Sequence, residues 1–134
     1  MRLLSAIITV SLLALAPSLP AAKPVSPKPQ SVIVIAGETV PVFNSKEVQP
    51  LRTVPPEYPQ EERRKNSSGH AAITALVDVD GKVEGAEISQ STPTPAFGEA
   101  AKASVKKWRF PKVIWEGKPT KYVVQVPVVF RLQG

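Results

Sequence analysis

Cysteine is absent from the 134-residue chain, which excludes a disulfide framework, a thiolate metal site and a cysteine nucleophile. Histidine occurs only once, as His70, and it has no metal-ligand partner at a suitable spacing, so we interpret it as a surface residue. Glycine-rich phosphate loops are also missing. Ser67-Ser68-Gly69 lacks the strand–turn–helix context of a hydrolase nucleophile. These absences favour a protein that is not an enzyme and that binds no cofactor.

One acidic segment superficially resembles a calcium loop. Asp78 and Asp80 precede Gly81, and Glu87 stands at the closing position of an EF-hand. The third acidic position is missing, however, and the surrounding residues alternate as in a strand. We therefore expect a hairpin turn at Asp80-Gly81 and no metal site.

The N-terminus has an apolar run, but it is shorter than the roughly 18–20 residues that a membrane-spanning helix needs. The run, Leu3 to Ala16, follows Met1-Arg2 and precedes a segment rich in alanine, serine and proline. Residues 1–22 are therefore predicted to be an export signal, or else a short uncleaved anchor in the inner membrane. In both cases the rest of the chain faces the periplasm.

Basic residues outnumber acidic residues, 17 to 11, and only Arg2 lies in the leader. Nucleic acid is absent from the periplasm, so we expect no nucleic-acid partner. The positive charge would suit anionic envelope surfaces or acidic segments of a partner, or it is a plain solvated surface.

Proline placement divides the remaining chain. Lys23 to Pro29 alternates proline with small or basic residues, as in an extended polyproline linker. Ser31 to Phe43 is rich in β-branched residues and is interrupted at Ala36-Gly37, which predicts two short strands or a hairpin. We assign residues 23–46 to the linker and this accessory segment, and residues 47–134 to the main domain. If the accessory segment folds back onto the last strand, it would block that edge and inhibit the module.

The main domain contains short helical and strand patterns in turn. In its first and last strands, apolar residues alternate along one face, from Ala71 to Val79 and from Tyr122 to Leu132. In order, the patterns predict a helix over Gln60–Lys65, a strand over His70–Val79, a strand over Lys82–Gln90 with a bulge at Gly85, a helix from Thr94-Pro95 to Trp108 and, after a loop, a strand over Lys121–Leu132. The fold class is therefore α+β, a three-stranded antiparallel sheet with two helices on one face. Pro127 cannot donate to a sheet ladder, so the last strand is predicted to be an open edge.

An ordered set of motifs resembles the TonB C-terminal domain family. The set covers roughly residues 47–132 and consists of Pro56-Glu57-Tyr58-Pro59, Asp78 to Val83, Ser91, Phe97 with Ala100-Ala101, Lys107 to Pro111, Gly117-Lys118-Pro119, and Val126 to Phe130. The resemblance implies a periplasmic protein that takes part in TonB-dependent transport across the outer membrane. It also implies that an extended transporter segment, the TonB box, adds as a strand to the last strand. The implied partner-binding residues are Pro56, Tyr58, Pro59, Tyr122, Val123, Val124, Gln125, Val126 and Val128.

Three differences from the family pattern bear on the partners. The leader has no histidine of the kind that couples TonB to inner-membrane motor proteins, the proline-rich spacer is short, and Pro55 replaces the glutamine before the corner. The resemblance therefore implies the binding fold, engaging an outer-membrane transporter or another envelope protein, rather than self-contained energy transduction. The alternative is an envelope scaffold that uses the same edge to form a homodimer. A module that binds the cell wall through its positive charge is a third hypothesis.

Overall fold

The computed structural model of the protein describes residues 23–132, and within them two helices and seven strands. The elements are β1 (Ser31–Ile35), β2 (Glu38–Asn44), α1 (Gln60–Arg64), β3 (Gly69–Val77), β4 (Val83–Thr92), α2 (Pro95–Val105), β5 (Val113–Trp115), β6 (Lys118–Thr120) and β7 (Tyr122–Phe130). Five of the strands form one sheet in the order β1-β2-β7-β3-β4, while β5 and β6 form a separate hairpin. The antiparallel strands β7, β3 and β4, together with the two helices, confirm the predicted α+β fold, to which β1 and β2 add two strands.

The main core lies between α2 and one face of the sheet. Strand alternation places Ile73 and Val124 on this face, and the helical period places Phe97 and Val105 opposite them, all fully buried. The sheet's other face carries a smaller cluster in which Val40, Val42 and Val123 are buried. The alternation predicted for β3 and β7 is therefore confirmed. The predicted bulge is confirmed as well, since the register of β3 and β4 shifts next to Gly85.

The accessory segment folds as a hairpin that joins the main sheet. β1 and β2 pair antiparallel, and β2 then runs parallel to β7, with Val42 to Asn44 opposite Val123 to Gln125. The expectation that the whole last strand is an open edge is therefore wrong. Phe43 is fully buried in the main core, with its ring 5.6 Å from that of Tyr122 in an edge-on arrangement. The hairpin thus contributes to the core of the domain.

The segment before β7, expected to be a loop, is instead the β5–β6 hairpin. Glu116 and Gly117 have φ values of 52° and 80°, as in the two-residue turns that connect the strands of tight hairpins. Pro119 lies opposite Ile114 in this two-stranded ladder. Proline is compatible with that position because the outer side of such a strand has no neighbour to which it must donate.

The polyproline linker runs along the β5 side of the domain. Val25 pairs with Val113 through an N–H that donates to the Lys112 carbonyl and a carbonyl that accepts from Ile114. No helix within residues 23–132 is long and apolar enough to span a membrane. The predicted leader, residues 1–22, lies outside the described residues.

Candidate functional site

The main chain of β7 faces away from β3 at alternate residues. Pro127 lies opposite Ala72 of β3, and the Ala72 carbonyl accepts a hydrogen bond of 2.9 Å from the Ser89 hydroxyl of β4. The Ala72 main chain is therefore directed towards β4. Opposed residues of an antiparallel pair direct their main-chain groups either both towards or both away from each other. Pro127 and Val129 therefore direct their main chain away from β3. They face the same side of β7 on which β2 pairs with Val123 to Gln125.

β2 stops before it reaches these residues. The Asn44 side-chain oxygen accepts from the Glu47 N–H at 3.0 Å, and the Glu47 carboxylate accepts from the Asn44 N–H at 3.1 Å. This reciprocal pair is a capping-box arrangement, and it turns the chain away from β7. In residues 23–132, β2 covers only Val123 to Gln125, so the second half of β7, Val126–Phe130, has no strand on this side. We call this five-residue stretch the free segment of β7.

The side chains of the sequence-predicted β7 residues point mostly inwards. Gln125 alone among them is exposed; Val123 belongs to the smaller cluster, and the rest lie in the main core, namely Tyr122, Val124, Val126 and Val128. These residues therefore offer a partner main chain rather than side chains, and from Val123 to Gln125 that main chain already faces β2. The sequence prediction omitted Pro127 and Val129, which are exposed on the free segment.

The corner at Pro56-Glu57-Tyr58-Pro59 packs against the far end of β7. The Tyr58 ring lies edge-on to Phe130 at 5.7 Å and to Phe97 at 5.8 Å, and its hydroxyl donates to the Ser67 carbonyl. The Arg63 guanidinium lies 5.7 Å from the centre of the same ring, within cation–π range. The structure thus brings the Tyr58 corner next to the end of the free segment. It does not bring the corner to the first half of β7.

The chain before the corner is held against the C-terminal end of α2 and the residues that follow it by one carbonyl group. The Val54 carbonyl accepts from the Trp108 indole N–H at 3.0 Å and from the Ser104 hydroxyl. Between this segment and α2 lies an open cleft of about 550 Å³, with Tyr58 and Pro59 on one wall and Ala100 on the other. The α2 wall is built mainly from small side chains, and the polar groups at the cleft, among them Glu57, Gln60 and Lys107, form no recognisable catalytic or metal-binding arrangement.

Tyr122 at the start of β7 has a structural role. Its hydroxyl donates to the Pro111 carbonyl at 2.7 Å, and the side chain is fully buried. Burial, together with the negative charge of Asp78, raises the pKa of Tyr122 well above its ordinary value. The phenol therefore stays protonated to higher pH than a free tyrosine, and its hydrogen bond attaches the start of β7 to the Pro111 carbonyl.

The two outer strands of the sheet differ in how they are protected. β4 carries exposed Glu84 and Glu87, and charges on an edge discourage the pairing of another strand. β1 has no charged residue, and its Val32, Ile33 and Val34 are 45%, 41% and 70% exposed. β1 therefore provides a second stretch of unpaired main chain, outside the segment that resembled a known family. No group of three or more acidic or histidine side chains within residues 23–132 is arranged to hold a metal ion.

Comparisons with known proteins find similar sequences and a similar solved structure for more than half of the chain. A family model described as the Gram-negative bacterial TonB protein C-terminal matches residues 54–132. Protein TonB of Vibrio cholerae serotype O1 is 26% identical over 94 residues, covering 70% of this chain and 38% of that protein. Protein TonB of Pseudomonas aeruginosa is 27% identical over 76 residues, covering 57% of this chain and 22% of that protein.

The chain thus spans well under half the length of these relatives. The solution NMR structure of the Pseudomonas aeruginosa TonB CTD aligns with a TM-score of 0.53 at 24% identity, over 65% of this chain and 88% of that one. At this identity the likeness is one of fold. The β1–β2 hairpin precedes the residues matched by the family model.

Proposed function

Because the chain belongs to the TonB C-terminal family, we propose that it is a periplasmic protein-binding module of TonB-dependent transport. Its partner would be an outer-membrane transporter, bound through an extended segment of the TonB-box type that adds as a strand to the free segment of β7. The observation that carries this proposal is the outward-facing main chain at Pro127 and Val129, next to the point where β2 turns away. Strand addition takes its affinity from main-chain hydrogen bonds and needs few specific side chains.

The geometry limits how long the added strand is. Five residues of β7 are free, which corresponds to roughly 16 Å at about 3.3 Å per residue. Pro127 contributes only its carbonyl, so within the free segment the outward-facing N–H donor is that of Val129. Tyr58, at the far end, would contact the end of the bound segment, while Gln125 and Asn44 flank its beginning. The proposed binding site is therefore the second half of β7 and not the whole strand.

An NMR titration with a TonB-box peptide tests this site. Amide shifts are expected in Val126–Phe130 and around Tyr58, with smaller shifts in β1. Val129→Pro removes the outward N–H and is compatible with an edge position, whereas the control Val129→Ala removes the valine side chain but keeps the N–H. Loss of one hydrogen bond corresponds to a roughly 3- to 10-fold weaker peptide affinity for the proline variant. Equal affinities in the two variants would refute strand addition here.

The second candidate function is a scaffold that self-associates through β1. It is favoured by the exposed, uncharged outer strand, whose Val32-Ile33-Val34 sequence is symmetric about Ile33 and would pair antiparallel with itself. Analytical ultracentrifugation over a range of concentrations distinguishes the two functions. A dimer abolished by Ile33→Lys, in a protein that ignores transporter peptides, would favour the scaffold.

A further inference from the structure

Three cationic side chains stand side by side at one end of the sheet. Arg109 forms antiparallel bridges with Arg52 on one side and with Lys82 on the other. The Arg109 N–H donates to the Arg52 carbonyl at 2.9 Å, and the Arg52 N–H donates back at 3.2 Å. Directly opposed residues of an antiparallel pair project to the same face. All three side chains are exposed, and we call them the basic row.

The backbone itself fixes the basic row. Gly81 has φ of 91°, and a Cβ atom at this position would overlap the Phe110 carbonyl, so only glycine allows the two chains to come this close. The Phe110 N–H donates to the Gly81 carbonyl at 2.9 Å and completes the contact. Trp108 and Phe110, on either side of Arg109, are buried, which leaves the arginine directed outwards. The proximity of the three charges is therefore a property of the fold.

Like charges placed directly opposite each other destabilise a sheet, and none of these three side chains forms an ion pair with an acidic side chain among the described residues. Within residues 23–132 the ion pairs are Arg64–Glu61 and Lys121–Glu84, neither of which involves the basic row. Asp78, which begins the turn before Lys82, uses its carboxylate to accept the N–H groups of Asp80 and Lys82 at 2.8 and 2.9 Å. Three exposed cations that form no ion pair in the described part of the chain and are held together by main-chain contacts are suited to an anionic surface.

Two further observations indicate a lipid surface. Leu51 is 56% exposed and its N–H donates to the Arg109 carbonyl at 2.8 Å, so a large apolar side chain adjoins the basic row. Lys112, also exposed, accepts the Val25 N–H through its carbonyl. The linker that follows the apolar residues 3–16 therefore enters the domain close to this same end.

We propose that the basic row docks on the anionic phosphate headgroups of a phospholipid bilayer, with Leu51 at the boundary between headgroups and acyl chains. Basic side chains supply the attraction to the surface, and an apolar neighbour adds a contribution that a soluble polyanion would not use. This proposal does not depend on strand addition to β7, since it involves different residues.

Vesicle binding by the full chain tests the proposal. Affinity is measured for vesicles of phosphatidylcholine alone and of phosphatidylcholine mixed with phosphatidylglycerol, and the ratio of the two removes any contribution of the apolar leader. A basic side chain near such a surface increases binding by a factor of about five. The variant Arg52→Gln/Lys82→Gln/Arg109→Gln is therefore expected to lower the ratio on the order of 100-fold.

The matched control removes the same charge from exposed positions outside the basic row, as Lys46→Gln/Lys65→Gln/Lys118→Gln. It is expected to retain most of the preference for anionic vesicles, which high salt should abolish in the unmodified chain. Equal losses in the two triple variants would overturn the proposal, because net charge alone would then be responsible. An unmodified chain without preference for anionic vesicles, or one retained on purified peptidoglycan instead, would overturn it as well.

Discussion

The substitution Phe43→Ala measures how firmly the β1–β2 hairpin is held on β7. The Phe43 side chain is fully buried, packs edge-on against Tyr122 and belongs to the same core as Phe97 and Val105. Truncating a buried phenylalanine typically costs about 3–5 kcal/mol, because the apolar contacts are lost and a cavity remains. Since small domains have a free energy of unfolding of about 5–15 kcal/mol, this single change would remove a large part of the stability.

Urea denaturation followed by circular dichroism is the appropriate assay for this loss. The matched control is Val34→Ala on β1, where the side chain is 70% exposed and the change should stay within about 0.5 kcal/mol. If Phe43→Ala costs less than about 1 kcal/mol with an unchanged slope against urea, the hairpin is only loosely attached. The reasoning would then be refuted, and the hairpin would be a displaceable inhibitor of the whole β7 edge.

Three smaller perturbations test other parts of the structure. Tyr122→Phe should cost about 0.5–1.5 kcal/mol at neutral pH through loss of the bond to the Pro111 carbonyl. Because folding raises the pKa of Tyr122, the folded state is stabilised by the protonated phenol below about pH 10, and this contribution is lost as the pH rises further. In urea titrations at alkaline pH, Tyr122→Phe should therefore lose less stability than the unmodified chain. An equal loss in both proteins would contradict the assignment. Arg109→Gln should raise the melting temperature by roughly 2 °C at low salt by relieving repulsion, with no gain at high salt; calorimetry showing a lower value would count against the repulsion. Ser91→Ala removes the hydroxyl that accepts the Gly98 N–H at 2.7 Å near the start of α2. In urea denaturation it should lower the free energy of unfolding by about 0.5–2 kcal/mol, and a decrease of only a few tenths of a kcal/mol would rule out a capping role.

Local patterns in the sequence were sufficient to predict which faces of the strands are buried. The alternation in β3 and β7 depends only on neighbouring residues, and it was confirmed by the buried Ile73 and Val124. Pro127 was interpreted correctly as a position without a ladder partner on one side. The error was to extend that conclusion to the whole strand. The β-branched composition of residues 31–43 allowed the alternative that this segment folds back onto the last strand, but the pairing joins residues about eighty positions apart in sequence, and no local signal fixes its register.

Side-chain partners across the fold were also beyond the sequence analysis. Thr94 stands at the N-cap of α2, where threonine commonly caps the helix, but its hydroxyl donates to the Glu62 carboxylate at 3.1 Å. Ser91 accepts the first-turn N–H of Gly98 instead. Glu62, in the first turn of α1, is only 4% exposed, and through its bond to Thr94 it connects α1 to the start of α2. By contrast, the Asn44-x-x-Glu47 spacing was a local signal that could have predicted where β2 ends.

The free segment of β7 and the basic row lie at opposite ends of β7, and their positions would determine how the molecule is oriented on a membrane. The turn that carries Lys82 follows Val77, which pairs with Tyr122 at the beginning of β7, whereas Phe130 at its other end pairs with Gly69. At about 3.3 Å per residue, β7 separates these ends by roughly 25 Å. A domain resting on a bilayer through the basic row would therefore direct the free segment of β7 away from that membrane, towards a partner approaching from the other side. If residues 1–22 are retained as an anchor, the short linker would hold the domain close to that same membrane. The free segment would then reach a partner only through the length of the domain itself and of the partner's extended segment.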